Sequence, residues 1–143
     1  MHNKEKQYPE QIKKYAEALE GMFEKYDIQL PAHATFYKGV TNAEMLDILS
    51  NVKNVNGKQL YKLVNFKNVS LYKDLAQSFA DEVSGWIFII KARKGSRMFP
   101  LTPFSEHPEE GEFMIQNGLH FEIDNIDVDK RIVEIYLLSK DAR

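Results

Sequence analysis

The sequence predicts an α+β domain with a largely antiparallel sheet at its core. Three observations carry this. Helical periodicity comes first along the chain, and several strands follow, joined mostly by short turns. The longest apolar run, residues 86–90, is short and suits a buried strand. The chain has 143 residues, of which 43% are hydrophobic and nine are Phe, enough for one domain with a sizeable core.

Each element has its own signal. Residues 1–8 are polar and read as a flexible N-terminus, leaving 9–143 as a single domain. Over 9–26, Ile12, Tyr15, Ala16, Leu19, Met22, Phe23 and Tyr26 follow the three-four spacing of an amphipathic helix, with Pro9 in its first turn. Residues 27–34 form a connector broken by Pro31. A short strand over 35–38 is expected to end at Gly39. Thr41-Asn42-Ala43-Glu44 is a capping-box pattern, and the helix it opens runs to about residue 50. The polar stretch 51–58 contains Asn56-Gly57 and reads as a loop or turn. Residues 59–66 alternate, with one phase slip, as a strand. Ser70 is then expected to cap a helix with Leu71, Leu75, Ala76 and Phe79 on one face.

Residues 85–92 form the central strand of this reading. Lys91, Arg93, Lys94 and Arg97 surround Gly95 in a basic turn, and a short strand follows over 98–101. Residues 112–116 form a strand ended by Asn117-Gly118, a hairpin-type turn. Leu119, Phe121 and Ile123 alternate with His120, Glu122 and Asp124, and a last strand covers 131–138.

Composition excludes several kinds of chemistry. There is no cysteine, so no disulfide, thiolate metal site or Cys nucleophile. The four histidines, His2, His33, His107 and His120, show no ligand spacing, and no metal site is expected. Gly39, Gly57 and Gly95 are isolated, which excludes a Gly-rich phosphate loop. The net charge of -2 offers no general attraction to nucleic acid or to anionic membrane, and the basic turn lacks the interleaved aromatics of a nucleic-acid patch. No signal-peptide pattern and no stretch long enough to span a bilayer is visible, which suits the cytoplasm or delivery into a host cell.

The stretch that carries chemistry is Pro108-Glu109-Glu110-Gly111-Glu112-Phe113-Met114-Ile115. A strand has a side-chain period of two, so Glu110 and Glu112 share a face at the mouth of an apolar strand. Taken alone, such a pair is a solvated edge. Taken in order with the rest of the chain, it belongs to a pattern. Phe66-Lys67-Asn68-Val69-Ser70-Leu71, then Ala76 and Phe79, then 85–95, then 104–115, resembles the mono-ADP-ribosyltransferases of bacterial exoenzymes and phages. Phe36-Tyr37-Lys38-Gly39 sits where that family has an aromatic-Arg strand. Residues 66–71 sit where it has Ser-Thr-Ser before a helix, and Glu110-Gly111-Glu112 where it has Glu-x-Glu or Gln-x-Glu. The resemblance spans residues 10–138.

The resemblance implies an ADP-ribosyltransferase-like fold, a mostly antiparallel two-sheet β core with N-terminal and flanking helices. It implies NAD as co-substrate, no metal, and a target protein as acceptor. Glu112 would be the catalytic carboxylate, stabilising an oxocarbenium-like transition state through the ribose. Glu110 would orient or deprotonate the acceptor, and a Glu at that position goes with arginine acceptors in the family. Lys38 would meet the NAD phosphates, Asn68 and Ser70 would frame the site, and the loop with Phe104 and Ser105 would meet the target. Two positions depart from the pattern. Lys38 replaces an arginine, exchanging a planar fork for a point charge, and Asn68-Val69 replaces Ser-Thr. A second reading is therefore a catalytically inactive relative that serves as a binding or structural module. A chance likeness would instead scatter residues 36–39, 68–70 and 110–112.

Overall fold

The computed structural model describes residues 21, 25, 29–63, 68–101, 111–116 and 118–138. The helix expected over 9–26 lies outside these residues except at Gly21 and Lys25, both helical.

The elements run β1 (Ala34–Val40), α1 (Asn42–Ser50), β2 (Lys53–Val55), β3 (Lys58–Lys62), β4 (Asn68–Ser70), α2 (Lys73–Val83), β5 (Trp86–Ala92), β6 (Met98–Pro100), β7 (Glu112–Ile115), β8 (His120–Asp127) and β9 (Ile132–Leu137). The strands hydrogen-bond in the order β2-β3-β8-β9-β5-β1-β4-β7-β6. Among these strands β5 and β9 run parallel, and the other pairs are antiparallel. A six-stranded part ending in β1 meets a three-stranded part starting at β4 through a single register pair, Tyr37 with Ser70. All nine described strands belong to one continuous sheet, so the two sheets expected of the core are present as two parts of it joined at β1 and β4.

β5 is apolar from Trp86 to Ile90 because both its faces are covered there. Phe88 and Ile90 enter the main core with Phe36, Phe121 and Ile135, all essentially inaccessible. Ile87, on the other face, packs with Ala76 and Ala80 beneath α2, flanked by Tyr37 and Ile89. Aromatic pairs knit the main core together: Phe36 lies 5.0 Å from Phe113, and Phe88 meets Phe121 edge-on at 6.2 Å.

Local chemistry explains most boundaries. Thr41 caps α1 in a complete capping box: its Oγ1 accepts the Glu44 N–H at 3.1 Å, and the Glu44 carboxylate accepts the Thr41 N–H at 3.1 Å. Asn56 and Gly57, with φ of 53° and 81°, form the two-residue turn between β2 and β3. The sequence signals the turn but not β2, whose three residues are all exposed at the sheet edge. With no buried side chain, that strand has no alternation to read.

Three further expectations change. Gly39 does not end β1 but sits within it. A Cβ there would lie 2.7 Å from the Ala76 carbonyl oxygen and 2.8 Å from the Phe79 ring, so its hydrogen side chain lets α2 approach the sheet. Ser70 does not cap α2. It belongs to β4, its Oγ accepts the Tyr72 N–H at 3.0 Å, and the N-cap position is Tyr72, which makes no side-chain cap bond. The apolar face predicted for α2 is also shifted: Ala76 and Ala80 are buried, whereas Leu71, Leu75 and Phe79 are exposed. Nor are β7 and β8 a hairpin. β7 lies between β4 and β6, and β8 between β3 and β9. Long-range pairing, invisible to a turn signal, overrides the Asn117-Gly118 pattern.

Gly85 makes the tightest approach of any glycine among the described residues. A Cβ there would lie 2.0 Å from the Val40 carbonyl oxygen, a backbone atom that β1–β5 pairing holds in place. Gly85→Ala is expected to cost about 1–3 kcal/mol or more. Thermal denaturation checks this, with a fall in Tm of roughly 2–4 °C per kcal/mol.

Candidate functional site

The junction between the two parts of the sheet is where the chemistry-bearing residues meet. Ser70 on β4 pairs with Tyr37 on one side and with Glu112 on the other. Adjacent strands are about 4.8 Å apart, so Glu112 stands two such steps from β1. β1 brings Lys38, β4 brings Asn68 and Ser70, and β7 brings Glu112 to one cleft of about 190 Å³. Leu75, Ala76 and Phe79 of α2 form its apolar wall, and Tyr37 and Gly39 complete the β1 side. Residues of 36–39, 68–70 and 112 thus converge.

Position along each strand sorts the side chains. Asn68 and Ser70 share a face by the period of two, while Val69 between them is 2% exposed and packs in the main core opposite Phe113. The hydroxyl absent at Val69 is therefore replaced by core packing. Glu112 follows Gly111, whose φ of 57° favours glycine and whose carbonyl accepts the Leu71 N–H at 3.1 Å. A Cβ on Gly111 would press to 2.9 Å from the Tyr72 ring. This glycine lets the chain entering β7 lie against the start of α2, which fixes where Glu112 begins its strand.

Burial pushes the Lys38 ammonium below the usual lysine range, and the carboxylates of Glu44 and Glu112 pull it partly back. Lys38 is thus a partly desolvated cation with a carboxylate from each of two elements within electrostatic reach. Such a group can attract an anionic ligand, and Glu112 beside it can stabilise developing positive charge.

Lys38, Asn68, Ser70 and Glu112, the residues that sequence reasoning singles out, share the cleft. Glu110, Phe104 and Ser105 lie outside the described residues. Two contributors carry other signals in the sequence. Glu44 reads as a capping residue, and nothing in the sequence ties it to Lys38. Phe79 reads as a core aromatic, yet it is 42% exposed and lines the cleft. The signal for it is the spacing of Leu71, Leu75 and Phe79, a second stripe beside Ala76 and Ala80.

The other polar groups do not form a rival centre. Lys91 pairs with Glu134 at 3.3 Å and Asp124 at 3.7 Å, and the Arg97 Nε donates to Gln116 at 2.6 Å, so two of the four cations around the basic turn have local partners. Among the described residues, no cluster of three acidic or histidine side chains could hold a metal.

No protein-family model matches the sequence, and no curated protein matches it either. Solved structures do. Plx2a, an ADP-ribosyltransferase toxin from Paenibacillus larvae, is 21% identical with a TM-score of 0.61, over 88% of this chain and 70% of Plx2a. An ADP-ribosyltransferase from Clostridium botulinum, solved in a triclinic form, is 13% identical with a TM-score of 0.63, over 85% of this chain and 67% of the clostridial one. BECa, an ADP-ribosylating toxin of a binary enterotoxin of C. perfringens solved with NADH, is 15% identical with a TM-score of 0.63. That match covers 91% of this chain and only 36% of BECa.

The buried cation has a consequence for stability. Between the depressed Lys38 pKa and 10.5, the unfolded chain binds more protons than the folded one, so stability rises with pH through that window. Below it, folding bears the cost of a desolvated ammonium. Lys38→Met should therefore raise Tm at pH 7 and flatten the alkaline rise, as followed by thermal denaturation across the pH series. A lower Tm at pH 7 would mean that attraction to Glu44 and Glu112 outweighs burial.

Proposed function

We propose that this chain, whose fold is that of the bacterial mono-ADP-ribosyltransferases, transfers ADP-ribose from NAD to a protein side chain, with arginine as the acceptor. The observation that carries the reading is the cleft itself: a cation, an amide, a hydroxyl and a carboxylate come from three separate strands to one place within that fold.

The residues present suit NAD. Lys38 offers a cation for phosphate, Glu112 a carboxylate for the ribose end, and Leu75 with Phe79 an apolar wall for a flat ring. At about 190 Å³ the cleft suits one end of the dinucleotide, since pockets that enclose a drug-sized ligand hold roughly 300–1,000 Å³. NAD supplies the ADP-ribosyl group, and breaking its nicotinamide–ribose bond places positive charge on the ribose.

The chain's own residues then have distinct tasks. Glu112, held on β7 by pairing with Ser70, stabilises that developing charge more than it stabilises the ground state. Lys38 draws the phosphates as a point charge, more loosely than an arginine fork would. Asn68 and Ser70 frame the pocket floor. Glu110 acts on the acceptor side, and the Glu-x-Glu spacing supports arginine. Phe104 and Ser105 contact the target protein.

A second reading is favoured by Lys38 alone. Its ammonium is partly desolvated and already attracted by Glu44 and Glu112, which suits a cleft that binds without turning over. One experiment separates the two. Nicotinamide release from NAD is measured for wild type and Glu112→Gln, with agmatine as a small guanidine acceptor. The transferase reading expects release by wild type and a loss of about 10²–10³-fold in the variant. An undiminished rate in Glu112→Gln would overturn the catalytic assignment. No release even with the acceptor present would favour the non-catalytic module instead, most clearly where millimolar NAD also leaves Tm unchanged.

A further inference from the structure

Resting on the transferase reading, we infer that the exposed apolar ridge over residues 71–79 is the docking surface for the acceptor. Its occupant is a target-protein segment that carries the acceptor arginine with apolar side chains close by in its own sequence.

The ridge is not ordinary surface scatter. Eight large hydrophobic side chains are exposed among the described residues, and four of them fall within nine consecutive positions. These are Leu71, Tyr72, Leu75 and Phe79, at 39–50% exposure. The core requires only Ala76 and Ala80 from α2. The helix is therefore apolar over a wider arc than its packing uses, and an apolar patch of that kind marks an interaction site.

Continuity ties the ridge to the cleft. Leu75 and Phe79 line the cleft wall. Leu71 donates its N–H to Gly111, and Tyr72 packs against Gly111 at the residue immediately before Glu112. A side chain that reaches Glu112 along this wall lays the residues flanking it on Leu71 and Tyr72. Charge selects the chemistry. α2 carries Asp74, Asp81 and Glu82 against Lys73 alone, so the ridge is apolar with an acidic border. That combination favours a cationic and apolar segment and repels an acidic one.

Two arginine peptides of equal charge test this, one with Leu and Phe flanking the arginine and one with Gly and Ser, alongside agmatine. The variants are Leu71→Ser and Leu71→Ala; Leu71 does not line the cleft, and its bond to Gly111 runs through the backbone N–H that both variants keep. Wild type is expected to modify the apolar-flanked peptide with a kcat/KM about tenfold higher, the effect of burying roughly one apolar side chain. Both variants should lose most of that preference, with NAD-dependent modification of agmatine unchanged. Equal use of the two peptides by wild type, or modification of agmatine but of neither peptide, overturns the inference while leaving the transferase reading intact. A fall in the agmatine rate matching the peptide loss in both variants also overturns it, because Leu71 would then serve the cleft. Absence of nicotinamide release by wild type overturns the transferase reading and this inference with it. The comparison of peptides by wild type stands even where a variant fails to fold.

Discussion

The pairing of β1 with β5 is the constraint on which the site depends. Seven consecutive residues of β1 oppose seven of β5, from Ala34 with Ala92 to Val40 with Trp86. Because side chains alternate, a slip of one residue would exchange the faces of Phe36 and Tyr37 and move Lys38 to the face that Gly39 occupies. The register is protected at both levels that matter. Phe36 and Phe88 are both fully buried in the main core, and Gly85 and Gly39 admit backbone approaches that any larger residue would block. The cation is thus placed by packing that has no chemical role.

From that anchor the site is assembled with few further contacts. One register pair joins β1 to β4, and three join β4 to β7. The candidate site lies where the sheet is least continuous. A fully paired sheet would fill this place with neighbouring strand, whereas a joint of one pair leaves room for a cleft between β1, β4, β7 and α2. The same joint explains why one short strand matters so much: Asn68, Val69 and Ser70 supply two polar groups to the cleft and one apolar group to the core.

Electrostatics at Lys38 sets desolvation against attraction to carboxylates. A lysine set partly out of water is disfavoured by burial, and the carboxylates of Glu44 and Glu112 offset only part of that cost. Glu44 also completes the capping box of α1. The start of α1 and the charge state of the cleft therefore share one side chain, an arrangement that couples a local helix signal to the site.

Much of the architecture was legible in the sequence because it is governed by short-range rules. The α1 capping box, the Asn56-Gly57 turn, the apolar run of β5 and the alternation of β8 each depend on neighbouring residues. Lys38, Asn68, Ser70 and Glu112 were legible in another way, through the family resemblance carried by the order of their motifs, and the fold brings them to one cleft. What only the tertiary structure decided depends on residues far apart in sequence. β7 joins β4 and not β8, because sheet order is set by the whole core and not by a turn. Gly39 stays within its strand because α2 packs onto it. Phe79 faces the cleft because Ala76 and Ala80 occupy the buried arc of its helix. Lys38 is partly desolvated because elements distant in the chain close around it. Local sequence determines conformation where a residue's partners are its neighbours, and the fold alone determines it where burial and pairing are supplied from elsewhere.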